Sequence, residues 1–71
     1  MFGKVGENVS NKLKDFRKNR DLTQIELAKD LHISNDYLSS IERGVKTPGF
    51  KLSKKIADYF ESTVDEIFFN N

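Results

Sequence analysis

Apolar side chains along this chain recur every three or four residues, and no alternating apolar–polar run is bounded by hairpin turn residues. The pattern predicts helices and no strands. In a first segment, about residues 8–19, Val9, Leu13 and Phe16 share one face while Lys12, Lys14, Arg17 and Lys18 occupy the others. A second, about 24–31, turns Leu27, Ala28 and Leu31 inward. Thr23 and Glu26 form a capping-box pair ahead of it: the threonine hydroxyl accepts from the Glu26 N–H, and the carboxylate reaches back to the threonine N–H. Only His32 and Ile33 separate this helix from the next cap, Ser34. The third segment, about 35–43, faces Leu38 and Ile41 inward and stops at Gly44, the residue type that best accepts a left-handed helix end.

Residues 45–50 read as a loop around Pro48. A fourth helix, about 51–61, buries Leu52, Ile56, Ala57 and Phe60. Thr63 and Glu66 repeat the capping box and open a short fifth helix through Ile67 and Phe68. Phe16, Phe50, Phe60 and Phe68 have core spacing. Phe69, beside Phe68 on a short helix, points elsewhere and is a candidate contact between two copies of the chain.

Two short helices joined by a tight turn, the second opening at a serine cap, predict a helix-turn-helix over about residues 24–43. A small Ala28 suits the place where the helices cross. Ile33 is needed as an apolar plug, which leaves His32 to reverse the chain in the left-handed region. With Leu38 and Ile41 committed inward, the third helix presents Asn35, Asp36, Ser39, Ser40 and Arg43 on its other face. Most of these side chains are short and polar, able to approach base edges in a major groove.

Seventy-one residues allow one domain, read as an arm over 1–7 and a domain over 8–71. A chain this short buries only about 60% of its unfolded surface, so its stability is small. The absence of cysteine removes disulfides and thiolate metal sites. The core must come from well-patterned helices, from a partner chain, or from both. No apolar run approaches the roughly 20 residues needed to cross a bilayer. Residues 1–10 lack the apolar stretch of a secretory signal, so a cytoplasmic location is expected.

The formal net charge of +1 hides an uneven distribution. Residues 1–20 carry six basic and two acidic side chains, residues 21–44 two basic and five acidic, and residues 45–71 four of each. A positive surface for nucleic acid must therefore be assembled from the first helix, Arg43, Lys46 and the cluster Lys51, Lys54 and Lys55. His32 is the one histidine and has no second ligand nearby in sequence, so it reads as a turn residue. No nucleophile elbow or metal-ligand spacing is present, and no enzyme activity, cofactor, metal or small-molecule ligand is expected.

The stretch LTQIELAKDLHISNDYLSSIERG resembles the helix-turn-helix of the Cro and phage-repressor regulators, and LSKKIADYF and VDEIF resemble their fourth and fifth helices. The resemblance spans about residues 8–68. It implies an all-α, compact five-helix domain acting as a sequence-specific transcriptional regulator, a repressor, that binds double-stranded DNA as a homodimer. It implies base reading by Asn35, Asp36, Ser39 and Ser40, and phosphate contacts from Thr23, Gln24, Arg43, Lys46 and Thr47. It also implies a structural ion pair between Arg17 and Glu42. Two positions depart from the pattern. His32 stands where glycine is usual, and Asp36 is an acid that can accept from a cytosine amino group but repels phosphate. A protein-interaction module of the same fold, such as an antitoxin or adaptor, is the alternative reading.

Overall fold

The computed structural model describes residues 11–69. Over them the chain is all-helical, with α1 (Leu13–Asn19), α2 (Gln24–Leu31), α3 (Asn35–Glu42), α4 (Phe50–Tyr59) and a short fifth element, α5 (Asp65–Phe69), wound with π spacing. This is the five-helix class that the apolar periodicity predicts. The expected arm at 1–7 and the first helical positions at 8–10, Val9 among them, lie outside the described residues.

Where α1 is described, it starts later than expected. Asn11 and Lys12 are not helical, and both have other partners. The Asn11 side chain accepts from the Leu13 N–H at 3.0 Å and donates to the Ile41 carbonyl at 2.9 Å, while the Lys12 N–H donates to the Ile67 carbonyl at 2.9 Å. Local bonds of this kind compete with helix formation.

The α2 capping box is complete, with the Thr23 hydroxyl accepting from the Glu26 N–H at 3.1 Å and the Thr23 N–H donating to the Glu26 carboxylate at 2.9 Å. Ser34 caps α3 by accepting from the Tyr37 N–H. The second expected box is only half made. Thr63 accepts from the Glu66 N–H, but the Glu66 carboxylate takes the Ser62 hydroxyl at 2.7 Å instead of the Thr63 N–H. α3 ends at Glu42, with Arg43 at its cap, and α4 runs one residue earlier at its start and two earlier at its end than expected.

One device closes α1 to α4. After each, a left-handed residue donates its N–H three residues back, and its successor donates five back, the paired bonds of a Schellman turn. The left-handed residues are Asp21, His32, Gly44 and Glu61, with φ of 58°, 63°, 79° and 55°. Only Gly44 is glycine; the others hold a β-carbon in a region that costs L-residues about 1–2 kcal/mol.

Leu13, Leu27, Leu31, Leu38, Ile41, Ile56 and Ile67 are fully buried, and Ala28 sits buried where α2 packs on α3. Each large aliphatic contributes about 1.5–3 kcal/mol relative to an exposed position. Ile33 and Leu22, which follow left-handed residues, pack against this core together with Phe16, Leu52 and Phe68. Phe50 does not; it is 82% exposed, contrary to its expected core role. Spacing does not exclude it, since it stands seven residues before the buried Ala57; it is the first residue of α4 and lies outside the buried cluster.

Long side chains tie α4 to the rest. Lys55 donates to the Leu31 carbonyl at the end of α2, Arg20 covers the Phe60 ring and donates to the Tyr59 carbonyl, and the Tyr59 hydroxyl donates to Asp30. No helix among the described residues is long and apolar enough to cross a membrane.

Candidate nucleic-acid interface

Glu42, in the last turn of α3, is buried and carries a charge that needs partners. Its Oε2 accepts from Arg17 Nε at 2.7 Å, and its Oε1 accepts from Arg17 Nη2 and from Gln24 Nε2, each at 3.1 Å. Arg17 also donates through Nη1 to the Leu22 carbonyl at 2.8 Å. No buried side-chain nitrogen or oxygen among the described residues lacks a partner. Three helices meet at this carboxylate: Arg17 comes from α1, Gln24 from the first position of α2 and Glu42 from α3. The fork of the guanidinium fixes the direction of α3 against α1. The Gln24 amide is held by one N–H, which leaves the other to donate outward.

Beside this pair lies a polar hollow of about 380 Å³ lined by Asn11, Lys14, Asp15, Gln24, Ser39, Glu42 and Arg43. It brings together three of the residues that the resemblance assigns to DNA: Gln24, Ser39 and Arg43. Asn35 and Asp36 are exposed on the first turn of α3, and Ser39 and Ser40 are half-buried on the second. Thr23 is exposed at the start of α2; its capping role uses a lone pair and leaves the hydroxyl hydrogen free. The free N–H groups at that helix start make it the positive end of the α2 dipole.

Lys46 and Thr47 are exposed but lie apart from the polar hollow, lining a separate groove with Pro48 and Phe50. The Lys46 N–H donates to the Ser40 carbonyl at 3.2 Å, folding the loop back onto α3. Its ammonium lies 5.9 Å from the centre of the Tyr37 ring, a cation–π contact that holds the charge beside the third helix. Lys14, which lines the polar hollow, and Tyr37, beside the Lys46 ammonium, are not among the residues singled out from the sequence for this site. Lys14 stands one turn before Arg17 on α1, and Tyr37 is an aromatic on α3 beyond what its inward stripe requires; those spacings were the available signals.

A helix-turn-helix family model matches residues 13–67. An uncharacterised HTH-type transcriptional regulator of Methanocaldococcus jannaschii is 42% identical over 60 residues, covering 84% of this chain and 91% of that protein. The ImmF control region 10 kDa protein of Bacillus phage phi105 is 42% identical over 52 residues, 73% of this chain and 58% of its own length. The HTH-type transcriptional activator BcrR of Enterococcus faecalis is 34% identical over 58 residues, 82% of this chain and 28% of its own. These matches cover the segment that carries the capped α2, the left-handed turn and the outward face of α3. The chain belongs to the helix-turn-helix family of DNA-binding transcriptional regulators, of the Cro and phage-repressor type.

Proposed function

We propose that the chain represses transcription by binding a pseudo-palindromic operator as a homodimer, with α3 laid in the major groove. Asn35, Asp36, Ser39 and Ser40 read base edges. Thr23, Gln24, Arg43, Lys46 and Thr47 hold the phosphates on either side. The observation that carries this reading is the division of α3: Leu38, Ile41 and Glu42 are buried while Asn35, Asp36 and Arg43 are exposed. Two copies are needed because one small module touches too few bases for tight discrimination, and symmetry doubles them. Phe69, 67% exposed on α5, is a contact between the copies. Repression is the simpler outcome, since a protein seated over a promoter blocks polymerase without a dedicated contact to it.

Selection of bound sequences from a random DNA pool, followed by transcription in vitro from a promoter carrying the selected site, tests the proposal. The expected site has two inverted halves about 10–10.5 base pairs apart, or a multiple of that, and transcription falls as protein is added. A pool that yields no preferred sequence would remove the operator reading and leave the antitoxin or adaptor use of the fold. Rising transcription would make the chain an activator.

A further inference from the structure

The polar hollow beside the Arg17–Glu42 pair has walls from α1, α2 and α3, and its charges differ in what they can do. Glu42 lines it, but both carboxylate oxygens are taken by Arg17 and Gln24. Arg17 spends all three guanidinium nitrogens on Glu42 and the Leu22 carbonyl, and does not line the hollow. The pair cancels. Three exposed charges remain on the walls: Lys14 and Asp15 from α1, and Arg43 from the end of α3. Among the described residues the ion pairs are Arg17–Glu42 and Lys54–Asp58, and none of these three belongs to either.

We infer that Lys14 holds a DNA phosphate at this hollow together with Arg43, and that Asp15 beside it weakens the hold. The inference rests on the DNA binding of the proposed function and adds two residues of α1 to it. Attraction for a phosphate needs cations that no carboxylate has neutralised. The basic side chains of α1 are Lys14, Arg17 and Lys18; Arg17 is committed and Lys18 does not line the hollow, so Lys14 is left. It stands one turn before Arg17, on the same side of the helix. Lysine meets phosphate as a point charge on a flexible stem and needs no fixed fork to do so. Arg43 reaches the hollow one turn after Ser39, from the opposite wall. A phosphate shared by the two ties α1 to the duplex as well as α3. Asp15 brings a like charge to the same place and subtracts from that attraction. Phosphates carry no sequence information, so both effects fall alike on selected and random DNA.

Binding of the selected operator and of random duplex by the full chain, across about 50 to 200 mM salt, tests this. Lys14→Met should weaken both complexes, keep the base preference and reduce the slope of affinity against salt by about one. Its deficit should then shrink about three-fold across that range. Lys14→Arg should keep the parent's slope, and Asp15→Asn should tighten both complexes. Lys29→Met removes the same charge from the far end of α2, off the hollow, and should leave the slope in place. All four changes are at exposed positions, so the melting transition should stay where it is. A Lys14→Met chain with the parent's slope, or with an altered base preference, overturns the inference and leaves DNA reading by α3 standing. An equal loss of slope in Lys29→Met also overturns it, since net charge alone would then be responsible. An Asp15→Asn chain that binds no more tightly than the parent removes the opposing role of Asp15. A parent chain that binds neither DNA overturns this inference and the proposed function together.

Discussion

Arg17 and Glu42, 25 residues apart, meet through two hydrogen bonds between side chains that are 9% and 2% exposed. Replacing Arg17 with methionine leaves a buried carboxylate with one amide partner, and breaking a buried pair from one side costs about 3–5 kcal/mol. Removing both charges, with Arg17→Met and Glu42→Leu, should cost clearly less than the two single changes added together. Urea denaturation of the four proteins measures this. Additive costs, or an Arg17→Met cost under about 1 kcal/mol, would show that the pair does not hold α1 to α3.

His32 turns the chain between α2 and α3 at φ 63°, and its imidazole is assigned no chemistry. Glycine there relieves about 1 kcal/mol of backbone strain and adds unfolded-state entropy of similar size. We expect His32→Gly to be neutral or stabilising by up to about 1 kcal/mol with DNA binding retained. Glu61→Gly, at φ 55°, should behave alike in a thermal melt. A His32→Gly protein that folds but no longer binds DNA contradicts this account.

On α3, reading and holding should separate. Asn35→Ala and Ser40→Ala should each weaken specific binding by about 1–3 kcal/mol for every base edge they cease to read, and leave non-specific binding nearly intact. Lys46→Ala should weaken both alike and reduce the slope of affinity against salt by about one. Titrations of selected and random DNA at several salt concentrations make the comparison. If Lys46→Ala changed sequence preference and Asn35→Ala did not, the roles would be exchanged.

Tyr59 donates to Asp30 Oδ2 at 2.6 Å, and that bond, followed by burial and the carboxylate's charge, raises its pKa above the usual tyrosine value of 10.0. A folded-state value raised above the unfolded one contributes stability that is present in full below the unfolded value and is lost as pH climbs through the folded one. Stability should therefore fall more steeply above about pH 10 in the wild-type chain than in Tyr59→Phe. Ultraviolet titration in a Tyr37→Phe background isolates the Tyr59 phenol, and Asp30→Asn should bring its midpoint back toward the ordinary value. A midpoint at or below that value in the parent would sink the claim.

What is legible in the sequence is what local chemistry decides. Thr23 with Glu26, Ser34 and Gly44 mark helix ends within one turn of themselves, and His32 emerges as the reversal point by elimination around Ile33. The inward residues of α2 and α3 follow from spacing alone. Misreadings arise where a partner other than the patterned one decides. Asn11 and Lys12 leave the helical pattern for carbonyls at Ile41 and Ile67, and Glu66 prefers the Ser62 hydroxyl to its cap. Phe50 resembles core because it is large, apolar and in phase with Ala57, but it opens α4 outside the buried cluster. At the candidate site the outward face of α3 is readable. The hollow that gathers Gln24, Ser39 and Arg43 depends on how α1, α2 and α3 meet, which no single helix encodes.

Residues 11 and 12 grip two elements at once: the Asn11 amide holds the last turn of α3 through Ile41, and the next backbone N–H holds α5 through Ile67. Mechanically this is a short strut between α3 and the helix that carries Phe69. A pair of chains joined through α5 would hold its two reading helices at a set separation and phase, with little slack to redistribute. Inserting one base pair between half-sites rotates one of them by about 35°, given about 10–10.5 base pairs per turn. Such a stiff pair could not follow that rotation, and the length of the gap would then be part of what it recognises, alongside the bases themselves.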